Sequence, residues 1–524
     1  MRSLLPEKYH YYIYVFALIV LVIGMPVSKF LMSLSQIILV CNWLLEGNLK
    51  DKFNKFFKNK PAIVLSSLLL LHFIGLLYTT DFSYALKDIR VKVPLFVLPL
   101  VISTSRVLSK KIFHIILQFF VAAVVFGTIV STFILTGIIH REVVDIRTIS
   151  IFISHIRFAL LICIAIFICG YFIYNELKMS RKYLWAVILA WLVIFLILME
   201  SVTGLSVLTA TLFILLIYII IKLKNKVVKW GSIAVIFIGI ISLFYAIRLK
   251  MTEFSRKETI DFSKLDTYTS QGNLYEHNLK EKYTENGHYI WIYYCGKELE
   301  QSWNLRSRIN FNNQDMKGNK IQVTLVRYLA SKGLRKDADA LNTLTDSEIK
   351  AVERGVVNVK YPNVSSLNGR LYEICWELEL YKTSGDANGH SITQRFEYWK
   401  AAIGIINTHT LLGVGTGDVQ YTFDNYYEKN NSPLLKKWRL RSHNQYLSIA
   451  VAFGIIGLLW FLITLFYPVI KQKMVFDYLY ITFFIVTIIS FFTEDTLETQ
   501  AGVTFYAFFN SFFLFTRENN RVEE

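Results

Sequence analysis

Residues 151–174 read IFISHIRFALLICIAIFICGYFIY, an apolar stretch in which Arg157 is the one charged side chain. The stretch is long enough to cross a bilayer, which takes about 20 apolar residues in a helix. Because lipid offers the backbone no hydrogen-bond partners, we expect it to be helical. Similar stretches predict twelve transmembrane helices in all, at approximately 10–29, 32–47, 61–79, 90–105, 112–137, 151–174, 184–200, 203–221, 230–247, 444–468, 477–493 and 501–516.

The composition agrees with a membrane protein. The chain is 54% hydrophobic and 18% charged, whereas about a quarter of a soluble domain is charged. Its net charge of +17 is divided among short basic clusters between the apolar stretches. The positive-inside rule explains this pattern better than nucleic-acid binding does, so we expect membrane lipids and no nucleic acid as partners.

The basic clusters also predict an orientation. They lie at residues 2–8, 50–60, 106–111, 178–182, 222–229, 471–473 and 517–521, all on one side of the predicted helices. That side should be the cytoplasm, with both termini in it. The long segment 248–442 then lies outside, which in a Gram-negative cell means that it faces the periplasm from the inner membrane.

The predicted fold class is therefore an all-α polytopic membrane protein with one large periplasmic loop. Helices 1–9 occupy 1–247, the loop occupies 248–442, and helices 10–12 with a cytoplasmic tail occupy 443–524. We expect a small insert within the loop, either mostly helical or α+β.

Local signals in the loop support a folded insert. Asn286-Gly287 is typical of a hairpin turn and would lead into a strand at 289–294. Thr345 and Glu348 have the spacing of a capping box, with Gly355 closing the helix. Cys295 and Cys375 both fall in this loop, where a periplasmic location permits a disulfide, but the sequence leaves their pairing open.

The segment 394–457 carries the residues best suited to chemistry. Arg395 and Trp399 are four apart and share one face of an amphipathic helix, predicted near 392–408 against the membrane face. A glycine-rich turn follows at 413–417, and His443 stands where the next transmembrane helix begins. No Lys-Ser/Thr follows the glycines, so they do not form a nucleotide-binding loop.

No metal or cofactor is expected. Asp337 and Asp339 have the spacing of metal ligands in soluble sugar transferases, but they lie in a helix-like context. The first external loop also lacks the acidic pair of metal-dependent oligosaccharyltransferases. The sequence shows no Cys/His cluster with zinc spacing.

The order of these motifs closely resembles the O-antigen ligase and O-antigen polymerase family: an Arg and a Trp on a helix, a Gly-x-Gly turn, and a His that opens a span. Ser154–Phe158 is similar to the family's arginine at the external end of a middle span. Thr324–Asp337 and Thr493–Gly502 look like its loop and last external turn, which gives a family-like core at about 150–465. Val202 departs from the pattern, because many relatives have an arginine in that turn.

The resemblance implies a glycan donor linked to a lipid diphosphate. Arg157 and Arg395 are the best candidates for the diphosphate, since a guanidinium is always charged and grips phosphate oxygens with two bonds. Alternatively, Arg157 is an interfacial residue whose side chain snorkels to the membrane surface, and Arg395 is a solvated charge on its helix. Arg441 would bind phosphate or sugar, or merely fix the edge of the span.

His443 is the candidate catalytic base, because a helix N-terminus disfavours the charged imidazole. Alternatively, His443 is an interfacial residue that caps the helix. Trp399, Gly413 and Gly415 would support the site. Glu494, with Asp495 and Glu498, would orient the acceptor or the base, or else form a solvated turn that caps the last span.

Lys92, with Arg90, opens the predicted fourth span on the external side. There it would meet the lipid diphosphate or anchor the helix at the interface.

The predicted reaction is an inverting, metal-independent transfer from undecaprenyl diphosphate. The acceptor is a lipid A–core sugar in a ligase and a second lipid-linked glycan in a polymerase, and the motifs do not separate the two. A transporter or flippase is a less favoured alternative, because it would show two similar halves. A nonenzymatic scaffold would leave His443 without a purpose.

Overall fold

A computed structural model describes residues 5–141, 143, 146–254, 256–281, 283–360 and 367–517. The chain forms two compact units. The first comprises Met1–Ile139, Ile149–Leu215 and Asp386–Glu524, and the second comprises His140–Thr148 and Leu216–Gly385.

Helices dominate both units. The chain begins with α1 (Glu7–Val27), α2 (Lys29–Leu45), α3 (Leu49–Lys58), α4 (Lys60–Ile74), α5 (Phe82–Lys92), α6 (Pro94–Thr104), α7 (Lys110–Leu135), α8 (His155–Asn175), α9 (Met179–Leu198) and α10 (Val202–Lys222). It continues with α11 (Lys226–Phe254), β1 (Thr284–Glu285), β2 (His288–Tyr289), α12 (Gly296–Arg306), α13 (Ile321–Ser331), α14 (Ala338–Asn342), α15 (Asp346–Glu353) and α16 (Leu367–Ser384). It ends with α17 (Thr393–Thr408), α18 (Val419–Lys429), α19 (Gln445–Lys471), α20 (Tyr478–Thr493) and α21 (Gln500–Phe515).

Seven helices within the described residues are long and apolar enough to cross a membrane. They are α1, α4 with its 3-10 extension to Tyr78, α7, α8, α9, α10 and α19. Counting α2 and α3, which bend by 114°, as one span gives eight. The chain is thus a multi-pass helical membrane protein, but the predicted number of twelve spans is not confirmed.

The remaining apolar stretches are divided or short. The predicted span 90–105 is interrupted at Val93, because Pro94 has no N–H to continue the helical ladder, and α6 is only 11 residues long. Helices α20 and α21 have 16 residues each. At about 1.5 Å per residue they are shorter than a bilayer core of about 30 Å. The predicted range 230–247 lies inside α11.

The glycine-rich loop is hydrogen-bonded to α19 at a break inside this helix. Gly454 has φ +65°, a left-handed conformation that interrupts the helix. The amides of Val414 and Gly415 donate to the carbonyls of Val451 (3.0 Å) and Ala452 (2.9 Å). The loop therefore satisfies carbonyls that the break leaves open.

The same loop is fixed on its other side by Asp418. Its carboxylate accepts hydrogen bonds from the amides of Thr80 (2.7 Å) and Asp81 (2.9 Å). The Gly417 amide donates to the Thr79 hydroxyl at 2.8 Å. The loop thus connects α19 to the segment between α4 and α5.

The second unit has its own apolar core, built around buried Trp303, Leu325 and Leu341. The predicted turn at Asn286-Gly287 is confirmed between β1 and β2, with φ of +52° and +93°. The strand expected over 289–294 is wrong, because β2 ends at Tyr289 and Ile290 turns into this core.

The capping box of Thr345 and Glu348 is confirmed at the start of α15, and Gly355 follows that helix with φ +79°. Asp337 caps α14 by accepting from the Ala340 amide, which agrees with a structural role. Cys295 and Cys375 are both free thiols, so the disulfide left open by the sequence is not formed. Residues 386–442 belong to the first compact unit, and the predicted loop 248–442 stays a prediction.

We expect Gly413→Ala to destabilise the protein. A Cβ at Gly413, which has φ +70°, would lie 2.4 Å from the backbone of Ala452 and Phe453. Backbone strain together with this clash should reduce the free energy of unfolding by about 3 kcal/mol. Unfolding of the purified protein in detergent would measure the change.

Gly137→Ala is the matched control, because Gly137 has φ +79° but nothing within 4 Å of its added Cβ. Strain alone should cost about 1 kcal/mol there. Equal losses in the two variants would contradict the packing role assigned to the glycine loop.

Candidate active site

The candidate site lies where α19 begins. Asn444 is the N-cap of α19, and its side chain accepts from the Leu447 amide (3.1 Å) and donates to the Phe492 carbonyl (3.1 Å). The start of α19 is thereby held beside the end of α20. The turn that follows α20, residues 494–498, consequently lies next to His443.

His443 is held in an unusual backbone conformation, with φ +46°. Non-glycine residues in this region are uncommon and cluster at functional sites. The conformation is supported by Ser442, whose hydroxyl donates to the Asn444 carbonyl (2.9 Å) and contacts the Ser448 hydroxyl (2.8 Å).

The imidazole of His443 points one nitrogen at two carboxylates. Nδ1 lies 3.7 Å from Asp495 Oδ1 and 4.0 Å from Glu494 Oε2. It is buried and makes no hydrogen bond within the described residues. Both separations exceed hydrogen-bond length, as is common for catalytic groups in ligand-free proteins, and a small side-chain movement closes either one.

Helix α17 contributes the next set of contacts. Arg395 Nη2 donates to Glu494 Oε1 at 3.1 Å, and Trp399 Nε1 donates to the Ser442 carbonyl at 3.1 Å. The Tyr398 ring lies 5.6 Å from the His443 ring, between centroids. The predicted shared face of Arg395 and Trp399 therefore packs against the segment that carries His443.

Arg157 differs from the other arginines of the site. It lies in the first turn of α8, and its one hydrogen bond among the described residues goes to the Ser154 hydroxyl at 3.2 Å. Its charge still reaches the site, because it lowers the pKa of both His443 and Glu494. The Arg157 guanidinium is thus available to an anionic ligand.

Arg441 belongs to a neighbouring buried ion-pair network. Its Nη1 lies 3.2 Å from Glu498 Oε2, and Lys92 Nζ lies 3.1 Å from the same oxygen. Lys92 Nζ also lies 3.1 Å from Asp88 Oδ1, and His72 Nε2 lies 3.8 Å from the other Asp88 oxygen.

This network corrects the expectation for Lys92. Its side chain is fully buried and paired with two carboxylates, so it neither meets a donor at the surface nor anchors the helix at an interface. Arg90, by contrast, is exposed. Burial without pairing would be costly for an ammonium group, which explains why both carboxylates are there.

The carboxylates of the 494–498 turn are not solvated. Glu494, Asp495 and Glu498 all have side chains that are about nine-tenths buried. The interpretation of this turn as a solvated cap is therefore wrong. Glu498 also contacts Gln445 in the first turn of α19, at 3.4 Å.

Burial and nearby charges shift the pKa values of the site residues, and the direction differs from one residue to the next. Burial lowers the pKa of His443, and the nearby arginines lower it further, although Asp495 raises it. Burial is thus the first cause of a neutral imidazole, ahead of the helix dipole invoked from the sequence. Burial raises the pKa of Glu494 to about 7. Burial also raises the pKa of Glu498, but Lys92 and Arg441 outweigh it and hold that pKa well below its usual range.

Gly413 and Gly415 allow close packing of the backbone around them. Added Cβ atoms would meet the α19 backbone at Gly413 and the backbone carbonyl of Gly75 at Gly415. They support the site by fixing the loop against α19 and the segment after α4.

His443, Glu494 and Asp495 offer ligand atoms within 4.8 Å of one another, a spacing that suits a metal ion. The surroundings fit a cation poorly. The Arg395 guanidinium already binds Glu494, and Arg157 and Arg441 add further positive charge near His443. The expectation of metal-independent chemistry remains a prediction.

The sequence did not single out Tyr398, Asp88 or His72. In the sequence, only the position of Tyr398 next to Trp399 indicates that it could belong to the site. His72 lies inside a predicted transmembrane helix, where an ionisable residue is a functional hypothesis by default, and this rule would have drawn attention to it.

The fold and the site together define a multi-pass membrane protein with a histidine, two carboxylates and arginines in one cluster. Residues 343–462 match the family model described as O-antigen ligase. This match confirms the predicted family resemblance, and it covers Arg395, Trp399, the glycine loop, Arg441 and His443. A search of curated proteins found no match. The family supports membrane glycan transfer of the O-antigen ligase or polymerase type.

We expect Glu498→Gln to destabilise the protein. The amide keeps the shape of the side chain but removes the charge that Lys92 and Arg441 share. Loss of one partner from a buried ion pair costs about 3 kcal/mol, and Asp88 keeps Lys92 partly compensated. Unfolding of the purified protein in detergent would measure the change.

The control is Glu428→Gln, whose carboxylate is 61% exposed and lies 3.9 Å from Arg439. An exposed pair of this kind contributes little. If Glu498→Gln were as mild as this control, Glu498 would not organise the site.

Proposed function

We propose that this protein transfers a glycan from a lipid diphosphate to an acceptor hydroxyl at the periplasmic face of the inner membrane. The donor is undecaprenyl diphosphate carrying O-antigen or a similar surface polysaccharide, and the acceptor is lipid A–core. The observation that carries this proposal is the contact of His443 Nδ1 with Asp495 and Glu494, surrounded by arginines.

His443 acts as the base. A proton on Nδ1 is favoured by the two carboxylates that face this nitrogen, which leaves the lone pair on Nε2 for the acceptor. The lowered pKa keeps the imidazole neutral at physiological pH. As the proton of the acceptor arrives on Nε2, Asp495 stabilises the imidazolium.

The arginines receive the diphosphate. Arg157 has no carboxylate partner among the described residues, so its charge is the first available to the donor. Arg395 is paired to Glu494, whose pKa of about 7 allows it to become neutral and release the guanidinium. Arg441 keeps its pairing with Glu498 and contributes at longer range.

The reaction is a single displacement. The acceptor oxygen forms a bond to the anomeric carbon as the bond from that carbon to the diphosphate oxygen breaks. The acceptor proton passes to His443, and the electron pair leaves with undecaprenyl diphosphate. Arg157 and Arg395 stabilise the negative charge that develops on this leaving group, and attack from the opposite face inverts the anomeric centre.

A polymerase would use the same groups with a second lipid-linked glycan as acceptor. The description of the matched family model favours the ligase. Purified protein would be given labelled lipid-diphosphate glycan with or without lipid A–core. Product on lipid A–core supports the ligase, longer lipid-linked chains support the polymerase, and the absence of both contradicts the proposal.

We expect His443→Ala to reduce turnover by roughly 100-fold to 10,000-fold, the usual contribution of a general base. Donor binding should change little, because the imidazole is neutral. Arg157→Ala should instead weaken donor binding, and Arg157→Lys should restore it only in part, since lysine cannot grip two phosphate oxygens. Turnover and equilibrium binding would be measured on the same preparations.

His409→Ala is the control for the histidine, because His409 is exposed at the end of α17. Turnover that survives in His443→Ala would exclude the imidazole as the base. A chelator that abolishes turnover would contradict the metal-independent mechanism.

We also expect donor affinity to fall as pH rises above about 7. Glu494 faces Arg395, Asp495, Arg157 and His443, and its pKa is about 7 in the free protein. A bound diphosphate adds negative charge and raises this pKa further, so binding takes up a proton. Affinity is therefore highest below about pH 7 and declines above it.

A lipid-diphosphate sugar suits this measurement, because a diphosphate diester does not itself titrate near pH 7. Glu494→Gln should remove the decline between about pH 7 and pH 9, whereas Glu428→Gln should preserve it. A decline that persists unchanged in Glu494→Gln would show that another group is responsible.

A further inference from the structure

A cavity lies at the other end of the helices that carry the candidate site. Helix α8 begins near Arg157 and reaches this cavity at Tyr171, and α19 begins after His443 and reaches it at Gln472. Its volume is about 930 Å³, within the range of ligand pockets. The turns between α6 and α7 and between α19 and α20 form much of its wall.

The cavity is basic. Arg106, Lys110, Lys473 and Arg517 line it, against one carboxylate, Asp477. Asp477 is already paired with Arg517 at 2.7 Å. Among the described residues, Arg106, Lys110 and Lys473 have no carboxylate partner, so the cavity has unbalanced positive charge.

Its walls also combine apolar rings with unused polar groups. Tyr11, Phe113 and Phe513 provide apolar surface. The Gln472 side-chain oxygen is buried without a hydrogen-bond partner in the described chain. Lys473 has φ +54°, a conformation that non-glycine residues seldom adopt. Free phosphate would use the cations but not the rings, whereas a lipid uses both.

We infer that this cavity binds the headgroup of an anionic glycerophospholipid. The phosphodiester lies among Arg106, Lys110 and Lys473, a headgroup hydroxyl donates to Gln472, and the acyl chains leave along the aromatic wall. Basic pockets between transmembrane helices are a known means of lipid recognition. The positive-inside rule requires these charges but no cavity, so topology alone does not account for the arrangement. This inference is independent of the proposed glycan transfer.

The test uses the delipidated full-length protein in a neutral detergent. Thermal unfolding is recorded with phosphatidylglycerol, with phosphatidylcholine and with inorganic phosphate, and native mass spectrometry counts bound lipid. We expect phosphatidylglycerol to raise the Tm more than the other two. The Arg106→Gln, Lys473→Gln double variant should bind phosphatidylglycerol roughly 30-fold more weakly.

Lys50→Gln, Lys55→Gln is the matched control, because these exposed lysines of α3 lie outside the cavity and in another basic cluster. It should bind phosphatidylglycerol as the unaltered protein does. Equal losses in the two double variants, or an equal Tm rise with phosphatidylcholine or phosphate, would overturn the inference. If the double variant does not fold, Lys473→Gln alone is assayed by mass spectrometry, and undiminished lipid binding there has the same meaning.

Discussion

The carboxylate of Glu498 holds together the charged centre of the first unit. It lies within 3.2 Å of both Lys92 and Arg441, and all three side chains are largely buried. A buried charge is stable only when it is paired, so α5, the segment before α19 and the turn after α20 must converge at this point. Arg441 is two residues from His443, and Glu494 is four residues from Glu498. The ion pairs therefore fix the distance between the imidazole and its carboxylates.

Patterns that are local in sequence predicted local structure well. The four-residue spacing of Arg395 and Trp399 placed both on one face of α17, and His443 stands two residues before the first residue of α19. The capping box of α15 and the turn between β1 and β2 are equally local. Each of these features depends on hydrogen bonds or side-chain neighbours within a few residues, which a single sequence displays.

The features that the sequence did not predict depend on distant partners. Lys92 was expected at an interface because its partner Glu498 lies in the last turn of the chain, and nothing near Lys92 except Asp88 indicates burial. The segment 289–294 is rich in residues that favour strands, but Ile290 and Tyr294 are buried in the core of the second unit, which is formed by residues distant in sequence. The spacing of the glycines likewise does not show what they approach, which is the α19 backbone for Gly413 and Thr79 for Gly415. Apolar length alone does not define the spans either, since the break at Pro94 limits α6 to 11 residues.

The two ends of the same helices differ in how their positive charge is balanced. At the His443 end, buried carboxylates face Arg395 and Arg441, whereas at the opposite end Arg106, Lys110 and Lys473 have no such partners in the described chain. Carboxylates next to an anion site weaken the binding of any anion, substrate and product alike. A transferase must release a lipid diphosphate after each turnover, and uniformly tight binding of the diphosphate would not increase turnover. The carboxylates thus suit a site that exchanges its ligand, whereas three cations without a carboxylate partner suit a site that retains one.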